Sequence, residues 1–253
     1  MSEPTTVIGS GPSRVLVLHG WCLDSSVWQW AMPLVDGTRY SYALLDFPGY
    51  GEARSAEPAA GIDAMARSAL GAADELGWSK FSVLGHSMGG TTALRVASLA
   101  PERVERVCAL TPIAASGFPV DAESYQRFEG AWPEAGWILE YVSPELNPQQ
   151  VQELLRLSKA TMSMPTWSRY LANWTGAGFA EAIQGLPTPT TVVLGERDPI
   201  ATPEHLADTI SALGRAEVVT LPNAAHYPMV ERPEESVRAW EEALSRPVQD
   251  QAN

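Results

Sequence analysis

The chain has 253 residues, long for an average domain but within the range of a single α/β core. Hydrophobic residues make up 45% and charged residues 19%, the balance of a globular chain rather than a disordered one. With 17 Lys and Arg against 30 Asp and Glu, the formal charge of -13 repels nucleic acid and anionic membrane surfaces and removes both as expected partners. No stretch of about 18 apolar residues suggests a transmembrane helix. The N-terminal residues show no basic stretch followed by an apolar one, so a cytoplasmic protein is expected. Cys22 and Cys108 lack CxxC spacing and the number for a disulfide framework, so both are expected as free thiols, Cys108 in the core.

A weak strand pattern at 5–8 opens the chain. Short apolar or β-branched runs follow at 15–18, 42–46, 81–84, 104–110, 190–194 and 218–221, each reading as a buried strand. Helical patterns lie between or after them at 62–76, 91–100, 203–213 and 233–244, with Pro203 and Pro233 where a first turn tolerates proline. Alternation of this kind predicts an α/β fold with a mostly parallel central sheet flanked by helices.

Residues 115–182 break that rhythm. They carry Trp132, Trp137, Trp167 and Trp174 with several further aromatics, a dense supply of apolar surface. Asn147 can cap a helix with Pro148 at its first position and Gln150 reaching back, while Val151, Leu154, Leu155 and Met162 line one face. The expected organisation is one domain: a core of 1–114 and 183–253, and a small helical cap at 115–182 roofing an apolar pocket.

Between the run at 81–84 and the helix that follows lies Gly85-His86-Ser87-Met88-Gly89, a GxSxG pattern with Gly90 next to it. A serine on a sharp strand-to-helix turn needs neighbours nearly without side chains, so that strand and helix can approach. This segment resembles the nucleophile elbow of α/β-hydrolases. The resemblance implies the α/β-hydrolase fold, Ser87 as nucleophile, and partners in the chain order serine, acid, histidine. Of four histidines, His226 alone sits in a loop after a late strand, where the family keeps its base. Asp198, in the loop after Leu194, fits the family's acid, with Glu196 as rival. His19-Gly20 resembles the family's HG motif, so the backbone N–H groups of Trp21 and Met88 are the expected oxyanion hole. His19 is read as a brace, His86 as structural, His205 as a surface residue and Asp46 as a structural turn residue.

The chemistry so implied is acyl transfer through an acyl-enzyme, on a small carboxylic ester, of the carboxylesterase type. The length, the HGW motif and the small aromatic cap resemble pimeloyl-carrier-protein methyl esterases and enol-lactone hydrolases. Trp21, Trp132, Trp137, Trp167 and Trp174 are the expected substrate contacts. An acidic carrier-protein substrate is disfavoured by the charge, since the inserted stretch offers only Arg127, Arg156, Lys159 and Arg169 to meet it. Alternatives on the same triad are carbon-carbon bond hydrolysis, enol-lactonase action, and perhydrolase or cofactor-free haloperoxidase action. A ligand receptor retaining the fold ranks last. No metal-ligand spacing and no phosphate-cradling loop appear, so neither metal nor cofactor is expected.

Overall fold

A computed structural model describes residues 5–176 and 178–245. Among the described residues, one sheet is built from β1 (Thr5–Ile8), β2 (Ser13–Leu18), β3 (Tyr40–Leu45), β4 (Phe81–His86), β5 (Val104–Leu110), β6 (Thr190–Gly195) and β7 (Ala216–Leu221). Their spatial order is β1-β3-β2-β4-β5-β6-β7. β1 runs antiparallel to β3, and the remaining pairs are parallel. β4 and β6 are buried at every position, as strands covered by helices on both faces must be. The run at 218–221 corrects an expectation: β7 is mostly exposed, with Val218 43% accessible and only Leu221 buried. It is the outer edge of the sheet, paired on one side alone.

The helices follow in chain order. α1 (Ile62–Glu75) and α2 (Met88–Leu99) precede β5. α2 starts three residues earlier than the sequence pattern suggests, because the turn at Ser87 delivers the chain directly into helix. Between β5 and β6 lie α3 (Ala122–Glu129), α4 (Gly136–Val142), α5 (Pro148–Thr161) and α6 (Met164–Thr175). α7 (Pro203–Ala212), α8 (Pro228–Glu231) and α9 (Pro233–Ser245) follow among the described residues.

α5 carries the expected capping box. The Asn147 side chain accepts the N–H groups of Gln149 and Gln150 at 3.0 and 2.9 Å, and Gln150 Oε1 accepts the Asn147 N–H at 2.9 Å. Its buried face is Leu154, Leu157 and Ser158, with Val151 and Leu155 half-buried and Met162 already past the last turn. α6 is fastened to the loop before α1. The Tyr170 hydroxyl donates to Pro48 O at 2.7 Å, and Asn173 accepts the Gly61 N–H while donating to Ala59 O, both at 2.8 Å. α3, by contrast, buries no residue completely.

Candidate active site

Ser87 sits between β4 and α2 with φ 53° and ψ -120°, a conformation that non-glycine residues adopt only where the surroundings enforce it. Those surroundings are backbone. A Cβ at Gly85 would lie 2.2 Å from Gly89 O, and one at Gly89 would lie 2.4 Å from His19 O, so the two glycines let strand, helix and neighbouring loop meet. The Ser87 N–H donates to Leu110 O at 2.9 Å, tying the turn to the end of β5. The Ser87 carbonyl accepts the Thr91 N–H at 3.0 Å as α2 begins, so Met88, Gly89 and Gly90 have N–H groups without partners inside the helix.

Three side chains far apart in sequence converge here. His226 Nε2 stands 2.9 Å from Ser87 Oγ, and His226 Nδ1 stands 2.8 Å from Asp198 Oδ2. Ser87, Asp198 and His226 are 7%, 6% and 6% exposed. The other oxygen of Asp198 accepts the N–H groups of Ile200 at 2.7 Å and Ala201 at 3.1 Å, which aims Oδ2 at the imidazole. The Asp198 carboxylate accepts the Nδ1–H of the neutral tautomer, leaving Nε2 to accept from the serine hydroxyl. Glu196 points elsewhere, accepting the Asn223 N–H at 2.9 Å.

The other sequence candidates have clear places. His19 donates from Nδ1 to Gly20 O at 2.8 Å and accepts the Phe47 N–H on Nε2 at 3.2 Å, bracing two loops as a neutral ring. Burial lowers its pKa, against the pull of Asp46. Asp46 accepts the N–H groups of Ser25 at 2.9 Å and Glu52 at 3.0 Å, ordering the turn after β3. His205 is exposed, with Nδ1 2.8 Å from Ile200 O. Because Leu18 pairs with Gly85, the loop at His19, Gly20 and Trp21 lies beside the serine turn. A Cβ at Gly20 would lie 3.1 Å from the Ser87 Cβ. Thus Trp21 and Met88 flank the serine from two adjacent strand ends.

A cavity of about 50 Å³ opens at Ser87 and His226. Trp21, Cys22 and Tyr227 from the core and Phe128, Ile138, Val142 and Trp174 from the inserted helices form most of its wall, with Ile113 and Ile200. Burial pushes the thiol pKa of this wall residue, Cys22, well above the usual range. Of the five expected tryptophan contacts, Trp21 and Trp174 line the cavity, whereas Trp132, Trp137 and Trp167 do not. Trp167 is fully buried behind the wall, its ring 4.0 Å from that of Trp21 and its Nε1 donating to Phe128 O at 2.9 Å. Trp132 packs on Trp167 at 5.7 Å. Trp137 faces an outer groove of about 400 Å³ with Ser124, Arg127, Phe128 and Tyr141. Phe128 borders both spaces.

Apart from His86, read as structural, sequence reasoning passed over the aliphatic wall and the supports of the His226 loop. Ile138 and Val142 show no signal beyond ordinary apolar spacing. The supports are a backbone carbonyl at Val142 and single polar side chains at His86, Thr111, Ser143 and Glu231. Among the described residues no group of His, Cys, Asp or Glu is placed to hold a metal ion, and no helix is long and apolar enough to cross a membrane.

The family model described as alpha/beta hydrolase matches residues 15–239. The chain is 27% identical over 249 residues to a pimeloyl-acyl-carrier-protein methyl ester esterase of Klebsiella pneumoniae, covering 89% of this chain and 91% of that one. It is 28% identical over 236 residues to the dihydrolipoyllysine-residue acetyltransferase component of an acetoin cleaving system in Pseudomonas putida. That match covers 90% of this chain but spans only 62% of the relative's length. Among solved structures, the enol-lactonase of Burkholderia xenovorans superposes with a TM-score of 0.84 at 19% identity over 96% of each chain.

Proposed function

Because the chain belongs to the alpha/beta hydrolase family, we propose that it is a serine hydrolase of the carboxylesterase type, cleaving a small carboxylic ester through an acyl-enzyme. The reading rests on one observation, the unbroken line of hydrogen-bonding distances from Ser87 Oγ through His226 to Asp198. Ser87 attacks the ester carbonyl while His226 takes its proton and then passes it to the departing alcohol. Asp198 holds the ring and stabilises the imidazolium. The N–H groups of Trp21 and Met88 receive the oxyanion. Water, activated by His226, then releases the acid and restores the serine. The reaction so written needs no cofactor.

Residues 115–182 serve as a cap over a core of 1–114 and 183–253, and their aliphatic side chains close the acyl chamber. Its volume of about 50 Å³ is small beside the 300 Å³ or more of pockets for drug-sized ligands and favours an acyl group of few carbons. The charge of -13 counts against a substrate borne on an acidic carrier protein. Two buried free thiols fit a cytoplasmic setting. Carbon-carbon hydrolysis, lactonase and peroxide chemistry use the same triad, so the decisive test is a panel. p-Nitrophenyl esters of rising acyl length are run beside lactones, a dienoate and a peroxide-dependent halogenation assay, with Ser87→Ala as control. Turnover of short esters by the wild type and none by the folded variant is the expected result. A fluorophosphonate that labels both proteins equally would overturn it.

A further inference from the structure

The loop carrying His226 is suspended by its own backbone. The N–H groups of three successive residues, Ala225, His226 and Tyr227, are each held: by Glu231 Oε2, by Val142 O at 3.1 Å and by Ser143 Oγ at 3.0 Å. Two of those acceptors belong to the last residue of α4 and the one after it. Ser143 is fully buried, and its hydroxyl oxygen accepts the Tyr227 N–H. The next stretch of chain adds two more ties, an Arg197–Glu145 ion pair and Gln150 Nε2 donating to Val230 O at 3.0 Å.

The same helix closes the chamber. Ile138 and Val142 line it, so Val142 borders the acyl space while its carbonyl holds the His226 N–H. An acyl group larger than the chamber presses on α4 as one of its walls, and displacing α4 pulls on the N–H groups of His226 and Tyr227. From this, and resting on the hydrolase reading above, we propose that the end of α4 couples chamber filling to the position of the base. Ser143 is then a positioning residue: it holds His226 in line with Ser87 only while Ile138 and Val142 close on an acyl group that fits. Selection against long acyl groups therefore falls on kcat rather than KM, since a long ester still binds but meets a base out of line.

The test measures kcat and KM separately for p-nitrophenyl acetate, butyrate and octanoate, in the wild type, Ser143→Ala and Ser143→Thr. A displacement of about 1 Å at a reacting group costs on the order of 100-fold, so Ser143→Ala is expected to lose about 10- to 100-fold in kcat on acetate. Its KM stays within about twofold and the dependence of kcat on chain length flattens, whereas Ser143→Thr, keeping the hydroxyl, recovers most of the rate. An unchanged chain-length profile in folded Ser143→Ala, an equal loss on all three esters, or no recovery in folded Ser143→Thr overturns the coupling. Should Ser143→Ala fail to fold, Ile138→Ala enlarges the chamber without touching the latch: a rise in kcat on octanoate of about tenfold supports the coupling and no rise overturns it. Failure of fluorophosphonate to label wild-type Ser87 removes the hydrolase reading and the coupling with it. Labelling with an unaltered Ser143→Ala profile removes the coupling alone.

Discussion

His86 Nε2 lies 2.7 Å from the carbonyl oxygen of His226, so the residue just before Ser87 grips the backbone of the residue whose ring faces Ser87. Thr111 Oγ1 donates to the same carbonyl at 3.0 Å. Burial, with the charge of His226 second, pushes the His86 pKa well below the ordinary histidine value. A neutral ring with its proton on Nε2 fits both facts. Replacing it by Ala removes a buried hydrogen bond and leaves a void, which together cost about 2–4 kcal/mol of stability. The expected accompaniment is a fall in kcat of about tenfold as the His226 backbone loosens, with KM little changed. Thermal unfolding and steady-state rates on a short ester check both. Wild-type kcat in a folded His86→Ala would show that the grip has no kinetic consequence.

Two buried neutral histidines give stability a defined pH dependence. His19 and His86 both have folded pKa values below the unfolded value of about 6.5, chiefly through burial. As pH falls below that value the unfolded chain takes up protons that the folded chain refuses, so stability present above about pH 6.5 is lost on acidification. Each histidine contributes a slope of up to about 1.4 kcal/mol per pH unit in that window. Glu231 works in the opposite sense: burial raises its pKa, so its contribution is present at low pH and lost as pH rises through the folded value. A midpoint of thermal unfolding that declines from pH 7 to pH 5.5 is expected, and His86→Gln should make the decline shallower, since burial lowers the His86 pKa further than that of His19. Identical profiles for the two proteins would refute a buried neutral His86.

The parts of the candidate site whose meeting was legible in sequence are those where backbone geometry dictates residue type. Gly85 and Gly89 are required by approaches of 2.2 and 2.4 Å to carbonyl oxygens, so GxSxG leaves a readable mark. Asp198 and His226 follow strand ends, and strand ends follow from hydrophobic runs. The chamber wall left no such mark: α4 has no side-chain cap, and Ile138 and Val142 look like any packing residues. Abundant tryptophan does not by itself mark the cavity wall. Trp167 buries its ring and satisfies its N–H on Phe128 O, behind the wall rather than in it. β7 misled because an edge strand and a covered strand share the same β-branched run.

Asp198 and Glu196 share one loop, yet they face different partners, and substitution separates their roles. Asp198→Asn keeps an oxygen for Ile200 and Ala201 but presents an amide to Nδ1, favouring the wrong tautomer. A loss in kcat of about 10⁴ is expected, with the unfolding midpoint little changed. Glu196→Gln retains an acceptor for the Asn223 N–H and is expected to keep kcat within about twofold. Burst kinetics with p-nitrophenyl acetate report both. Comparable losses in the two variants would contradict the assignment of the acid.

Phe128 stands between the chamber of about 50 Å³ and the outer groove of about 400 Å³, stacked on Trp137 at 5.6 Å and 21°. Trp137 also carries the Arg127 guanidinium, 4.1 Å from its ring centre, so the partition is braced from the groove side. Removing the ring joins the two spaces without touching Val142 or Ser143. Long acyl chains can then run outward past the residue instead of pushing on α4. Phe128→Ala is therefore expected to raise kcat/KM for octanoate by about 10-fold or more while acetate changes by less than about threefold. Since α3 buries no residue completely, the stability cost should stay near the lower end for a large-to-small change, about 2–3 kcal/mol. The chain-length series separates this variant from Ser143→Ala, which flattens the same profile by losing rate on short esters rather than gaining it on long ones. A Phe128→Ala enzyme with the wild-type preference would mean that the acyl chain leaves the chamber by another route.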